Sequence, residues 1–400
     1  MPEIIIRTRY LDKISPFINK PVIKVYTGQR RIGKSYLMLQ TMDQIREHYP
    51  GGNQIYINKE DPAFDFIKNN DDLLGYIKTK RKTNTKNFVF IDEVQEIASF
   101  EKTLRGLLLE DIYDLYCTGS NATLLSGEIA TILSGRYIEI PVHSLSYKEF
   151  LQFHDYQNES NALLKYIMQG GMPFLIHLED NDQVRFEYLK NVMNTILFKD
   201  VVQRFNVRNF SFLNNLVVFL ADNSGSIVSA NRINVFLKSQ KASVSTRSVI
   251  DYLYFLESSY LVHKVKRYDI SGKKIFEIND KFYFEDLGLQ HVIKSYDPAR
   301  LNKYIESLVY HHLTESGFQV FVGKLADMEI DFVASKGDHT IYVQVALNVA
   351  EKKTFEREFG NLLLIKDNHK KYVVTLDEYA SGNHKGIIHI SLRDFLMLDL

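Results

Sequence analysis

The sequence predicts an α/β protein whose core is a parallel sheet with helices on both faces, and three stretches predict it. The first is Val22 to Ser35, VIKVYTGQRRIGKS, where an apolar, β-branched run meets a glycine-bounded loop and a helical pattern follows at once. The second is the apolar run Asn87 to Ile91, which closes on the acidic pair Asp92-Glu93. The third is Ile112 to Cys117, a strand-like run ending in the polar tip Thr118-Gly119-Ser120-Asn121. Short apolar strands interleaved with helical patterns belong to βα units on a parallel sheet.

The loop Gly28-x4-Gly33-Lys34-Ser35 sits between strand and helix, as a phosphate-binding loop requires. Backbone N–H groups along Gly28, Gln29, Arg30, Arg31, Ile32 and Gly33, with those of the helix start, are expected to wrap phosphates. Lys34 is expected to reach the β- and γ-phosphates of ATP, and the Ser35 hydroxyl to take a place on Mg²⁺. A Cβ at Gly28 or Gly33 would hinder the curl of the backbone and its approach to the ligand. At the end of the second strand, Asp92 is expected to hold Mg²⁺ through water and Glu93 to orient or polarise the attacking water.

Four hundred residues are enough for two to four domains. The 49 basic and 49 acidic side chains cancel, so nucleic-acid binding must come from a local patch. A single cysteine, Cys117, excludes an intramolecular disulfide and a cysteine-rich metal site, which fits a reducing cytosol. The N-terminus MPEIIIRTRY does not read as a signal peptide, and the longest apolar runs, such as Leu216 to Ala221, are too short for a bilayer. A cytoplasmic protein without a membrane partner is expected.

The segments GQRRIGKS, FIDEVQ, TGSNATLLS, LSGRYIEIPVHSLSYKEFL and GGMP together resemble a family of prokaryotic AAA-type ATPases. That resemblance runs nearly end to end. It implies a AAA+ P-loop core over residues 1–146, a helical lid over 147–209, a winged helix over 210–290 and a restriction-endonuclease-like domain over 291–400. It implies that Asn121, with Thr118 or Ser120, senses the γ-phosphate from an extra strand between the two acidic- and P-loop strands. It also implies that Arg136, just before the last strand of the core, enters the site of a neighbouring subunit in a homo-oligomer. Arg204 is either a second phosphate sensor or a solvated helix arginine.

Between Asp222 and Asp251 there is no acidic residue, while Arg232, Lys238, Lys241 and Arg247 all fall there. The third helix of this segment is expected to start near Ser245-Thr246 and to bury Val249, Ile250, Leu253 and Leu256. Tyr260 to Tyr268 and Lys274 to Ile278 read as a wing around Ser271-Gly272, carrying Lys264, Lys266, Arg267, Lys273 and Lys274. Arg232, Arg247, Lys266 and Arg267 are thus the candidate contacts to double-stranded DNA, the other use of such a module being protein binding.

In the last segment, period-2 alternation puts Glu329 and Asp331 on one face of a strand, and Tyr342, Gln344 and Ala346 on one face of the next. The resemblance implies a metal-dependent nuclease core in which Glu306, Asp331 and Gln344 bind a divalent cation. The lysine of that core is replaced by Ala346, so a binding or scaffold role is expected in place of cleavage, with Lys324 the candidate substitute for the lost cation. The expected activity is an ATP-driven, DNA-associated switch or motor. The alternatives are an ATP-gated nuclease and a nucleotide-regulated protein-interaction module.

Overall fold

A computed structural model describes residues 5–122, 133, 135–239, 245–276, 279–378 and 380–400. Ala122 thus ends one described stretch, so the part of TGSNATLLS beyond it lies outside the described residues, as do Ser134, Lys241, Ile278 and the side chain of Lys238. The chain divides into two units, Met1–His143 with Ser258–Tyr260, and Ser144–Glu257 with Leu261–Leu400.

The first unit is built on β1 (Ile23–Thr27), β2 (Asn53–Asn58), β3 (Asn87–Asp92), β4 (Tyr113–Gly119) and β5 (Tyr137–Pro141). They lie in the order β2-β3-β4-β1-β5, every neighbouring pair parallel. The strand ending in the polar tip, β4, therefore stands between the P-loop strand β1 and the acidic strand β3. These three strands are buried along their whole length, which is why they read as largely apolar runs. On one face Ile55, Val89, Ile91, Leu115 and Cys117 pack with Leu73, Ile77, Phe100 and Leu104 from the covering helices. One charged pair interrupts the apolar core. The Lys24 ammonium, fully buried in β1, is paired with Asp114 of β4 and donates to Lys20 O at 3.0 Å.

The second unit begins with helices Tyr147–His154, Ser160–Gln169 and Asp182–Thr195. A capping box at Ser146 and Glu149 starts the first of them, where the sequence places the lid. A wider π-helical segment, Ile196–Gln203, follows; its buried Asp200 pairs with Arg204 at 3.3 Å. Helices Phe210–Asp222, Ala230–Ser239 and Thr246–Ser258 come next. The last is capped by Ser245, whose Oγ accepts from Ser248 N at 3.0 Å. It buries Val249 and Leu256, but Ile250 is 55% exposed and Leu253 only half-buried. The buried stripe is narrower than the expected one because its centre lies on the 249–256 line.

The expected wing is not a free hairpin. The strand β6 (Val262–Val265) pairs antiparallel with β9 (Lys281–Phe284) to form a separate ribbon. The next strand, β7 (Arg267–Asp269), pairs with β8 (Lys274–Ile275) and, in parallel, with β10 (Gln319–Leu325). The hairpin thus extends a sheet ordered β14-β15-β13-β12-β11-β10-β7-β8, whose other strands are β11 (Met328–Lys336), β12 (His339–Ala346), β13 (Lys370–Thr375), β14 (Ser381–His384) and β15 (Ile387–Ser391). The physical reason is the open edge of β10. Val322 N donates to Lys266 O at 3.0 Å and Ile270 N to Lys324 O at 2.9 Å, while Tyr268 and Ile270 pack beside Phe321 and Leu325. One core joins Leu145, Phe150 and Tyr166 of the lid to Tyr283 of the ribbon and to Ile305, Phe332 and Val343. The segments expected as lid, winged helix and C-terminal domain share that core.

In GGMP, glycines followed by proline suit a helix end and the first turn of the next helix, and the motif has a tertiary cause as well. At Gly170 (φ +76°) a Cβ would lie 2.3 Å from Asp286 Oδ1, and at Gly171 it would lie 2.5 Å from Leu145 O. Asp286, buried, accepts from Gly171 N at 2.6 Å and from Leu289 N at 3.0 Å. Burial pushes its carboxyl up to about 6 against these backbone donors. Because the folded value lies above the unfolded one, its contribution favours the fold at low pH and is lost as pH rises through about 6. Relative to Asp286→Asn, the wild-type unfolding free energy should therefore fall by about 3 kcal/mol between pH 4 and 7, measured by urea denaturation at each pH.

Candidate functional site

The loop after β1 takes its shape from two glycines. Gly33, at φ +92°, is the left-handed residue just before helix Lys34–His48. Gly28, at φ +140°, is crowded by the chain after β5: a Cβ there would lie 2.2 Å from Val142 O. That packing adds to the reason drawn from sequence, which concerned the ligand's approach alone. Arg31 also has positive φ, and Arg30 reaches Glu60 at 3.2 Å. The Lys34 ammonium folds back over the loop and donates to Gly28 O at 3.0 Å and Gln29 O at 2.8 Å.

The acidic strand faces this loop. The Asp92 carboxylate accepts from Thr118 Oγ1 and from Tyr56 OH at 3.5 Å, and the Ser35 hydroxyl lies near enough to act on its charge. Burial raises the Asp92 carboxyl, and the Thr118 and Ser35 hydroxyls oppose the shift. Glu93 follows in a left-handed conformation, φ +55°, with its N–H donating to Thr118 Oγ1 at 2.8 Å. Its carboxylate accepts from Ser120 Oγ at 3.1 Å and from Gln95 Nε2. Burial alone would raise the Glu93 carboxyl, but Lys34, Arg30 and the bonds from Gln95 and Ser120 outweigh it and hold it low. A hydroxyl and a buried carboxylate near one another, beside an ammonium at a helix N-terminus, form a donor set that fits a nucleotide phosphate with Mg²⁺. Ser35 and Asp92 are the residues that would hold the ion.

Asn121 is buried immediately beyond β4. Arg136 is exposed at the opposite end of the sheet, where its carbonyl accepts from Ile23 N at 2.9 Å. The length of β1 separates it from its own loop, roughly 15 Å at 3.3 Å per residue. Gln95 had no assigned role in the sequence, although it lies inside FIDEVQ; its position two residues after Glu93, in the turn Val94–Glu96, was the available signal.

The four candidate nucleic-acid residues do not form one patch of free cations. Arg247 is exposed on helix Thr246–Ser258. The Arg232 guanidinium is turned onto its own loop, donating to Ile227 O at 3.1 Å. Lys266 and Arg267 belong to the edge that β7 adds to the large sheet, and Arg267 lies over the Phe276 ring at 5.3 Å.

At the C-terminal cluster, Glu306, Asp331 and Gln344 do come together, with a partner that sequence patterning missed. Lys281 of the ribbon is 2% exposed, and its ammonium lies 2.8 Å from both Glu306 and Glu329. Asp331 N donates to Gln344 Oε1 at 2.6 Å, Val345 N to Asp331 Oδ2 at 2.8 Å, and Gln344 Nε2 to Glu358 at 2.8 Å. Lys324 lies over Phe276 at 5.6 Å and is not the substitute cation. The signal for Lys281 was a lone charge inside KFYF, a strand buried at every position.

A family profile described as an AAA domain matches residues 20–151, and one described as a domain of unknown function matches residues 160–300. The chain is similar to an uncharacterised protein of Haemophilus influenzae, 34% identical over 98% of this chain and 98% of that protein. It is also similar to an uncharacterised protein of Methanocaldococcus jannaschii, 29% identical over 94% of this chain and 89% of the other. Among solved structures, the Walker-type ATPase Paby2304 of Pyrococcus abyssi shares the fold at 14% identity, with a TM-score of 0.52 over 72% of this chain and 94% of that one. With the P-loop strand and the acidic strand flanking β4 on the β2-β3-β4-β1-β5 sheet, and a relative alignable over nearly its whole length, the chain belongs to a family of prokaryotic AAA-type P-loop ATPases.

Proposed function

We propose that this protein is an ATP-hydrolysing switch in which nucleotide state at the P-loop sets how the second unit presents its helical surface to a partner. The observation that carries the reading is the Lys34 ammonium, folded over the Gly28 and Gln29 carbonyls, acting on the buried carboxylates of Asp92 and Glu93. Gly28 to Gly33 cradle the phosphates of ATP, Lys34 neutralises the β- and γ-phosphates, and Asn121 senses the γ-phosphate. Glu93, ionised and held by Ser120 and Gln95, polarises the attacking water. Mg²⁺, held by Ser35 and Asp92, supplies the positive charge that offsets charge developing on the transferred phosphoryl group. Arg136 completes a neighbouring subunit's site in a homo-oligomer.

Double-stranded DNA is the partner this reading names first, through Arg247 with the exposed Lys273 and Lys274. A second reading, a nucleotide-regulated protein-interaction module, gains support from Ile250 and Tyr254, which are 55% and 49% exposed on the same helix as Arg247. One experiment tests both: ATP turnover measured with and without double-stranded DNA across protein concentration. DNA stimulation, and a specific activity that rises with concentration, are the expected results for the first reading. Arg247→Glu with Lys274→Glu should then weaken DNA binding and flatten the log–log salt slope by about one unit for each phosphate no longer neutralised. Salt-independent, absent DNA binding would leave the interaction module; concentration-independent turnover in a monomer would remove Arg136 from catalysis.

A further inference from the structure

The metal implied for the C-terminal segment does not fit the residues found there. Every expected ligand is already engaged. Glu306 Oε1 accepts from Lys281 Nζ at 2.8 Å and Tyr283 OH at 2.7 Å, and Oε2 accepts from Lys303 Nζ at 3.3 Å. Gln344 Oε1 is turned onto Asp331 N, and Asp331 Oδ2 onto Val345 N. A divalent cation of the Mg²⁺ or Mn²⁺ type needs several oxygen lone pairs converging at about 2.1 Å. Here an ammonium sits at hydrogen-bonding distance among the same carboxylates.

We infer that Lys281 is the resident cation of this cluster: its ammonium supplies the positive charge that the buried carboxylates require, closes the cluster to divalent metal, and pins the β6–β9 ribbon to the large sheet. Three elements meet on this one nitrogen. Lys281 comes from β9, Glu306 from helix Leu301–Glu315, and Glu329 from β11. Burial alone would lower the lysine's affinity for its proton, but Glu306, Asp331 and Glu329 outweigh burial and push it up, so the ammonium stays charged. Glu306 is held low by Lys281 and Lys303 against its own burial. Glu306 is therefore compensated from within the chain, whereas burial and the neighbouring Glu306 push the Asp331 carboxyl up to about 7 in spite of Lys281. A metal entering the cluster would have to displace an ammonium that is 2% exposed and bridges two carboxylates. The geometry also explains why Ala346 is tolerated opposite this cluster: the cation arrives from the ribbon and not from the strand that carries Gln344.

The test is a Mn²⁺ titration of the nucleotide-free, full-length protein, read by calorimetry and by the electron paramagnetic resonance of free Mn²⁺. Any ion at Ser35 and Asp92 contributes equally to all variants and cancels. Wild type and Asp331→Asn should give the same isotherm. Lys281→Met should melt at lower temperature, take up one further equivalent of Mn²⁺, and regain melting temperature with it; Lys281→Met with Asp331→Asn should lose that extra equivalent. An additional equivalent in wild type that disappears in Asp331→Asn overturns the inference, and so does a folded Lys281→Met that gains no Mn²⁺. If Lys281→Met does not fold, Lys281→Gln keeps a hydrogen-bond donor without the charge and carries the same comparison, and the wild-type arm decides independently of either.

Discussion

Glu93→Gln should bind ATP normally and hydrolyse it at least about 100-fold more slowly than wild type, the scale on which a positioned general base contributes. The expectation follows from the electrostatics around this side chain. Lys34, Arg30, Ser120 and Gln95 keep Glu93 ionised in spite of its burial, so a proton-accepting carboxylate is present at neutral pH. Glutamine keeps the shape and can still accept from Ser120, but it cannot take a proton. Lys34→Ala should fail earlier, at binding. Its ammonium, released from Gly28 O and Gln29 O, is the loop's cation for the phosphates, and charge-assisted hydrogen bonds are worth about 1.5–3 kcal/mol each. Two such bonds correspond to a loss of roughly 100-fold or more in affinity. Calorimetry with ATP and a phosphate-release assay separate the two outcomes. Wild-type turnover by Glu93→Gln would remove Glu93 from the chemistry and return attention to Asp92 and Asn121.

The parts of this site that were legible in the sequence are those encoded within a few residues of one another. Ile23 to Ser35 and Asn87 to Glu93 each carry a strand, its buried end and the groups it delivers, so local pattern was enough. The apolar run and polar tip marked β4 as a strand, and its placement between them was what the resemblance implied. What escaped was set by contacts between distant segments. Gly170 and Gly171 suit a helix end, yet Gly170 is required by Asp286, more than a hundred positions on, and Gly171 by the close approach of Leu145 O. The strand holding Lys266 and Arg267 alternates like a wing strand, and nothing within it announces the free edge of β10 that claims it. The lone charge in KFYF marked Lys281 as unusual, but its partners were hidden for the same reason: they lie on a helix and a strand that come later in the chain. Exposure of Ile250 depended on the rotational phase of one helix, which a stripe of four apolar residues leaves uncertain by a position.

Lys24→Met should destabilise the ATPase unit by about 3–5 kcal/mol, because it strands a buried carboxylate. Lys24 and Asp114 are 0% and 1% exposed, on the adjacent strands β1 and β4. Burial lowers the pKa of Lys24, while its pairing with Asp114 opposes that shift. Without the ammonium, Asp114 keeps only two neutral donors, Tyr116 OH at 2.7 Å and Asn19 N at 2.8 Å. Both of those donors reach the same oxygen, Oδ2. An asparagine at 114 therefore retains both with its single carbonyl and presents an amide to the side where Lys24 stood. The double variant Lys24→Met with Asp114→Asn should for this reason recover most of the loss, giving a coupling energy of about 3 kcal/mol between the sites, on the scale measured for groups in one buried network. Hydrogen exchange of the β1 and β4 amides is the appropriate measurement, since it reports opening of this unit without requiring the whole chain to unfold in one step. Fast exchange in Lys24→Met, with protection restored in the double variant, is the expected pattern, and ATP binding should follow it because β1 carries the loop. Additive losses in the two single variants would show instead that the pair stabilises nothing jointly and that each side chain is held by its backbone and hydroxyl partners alone.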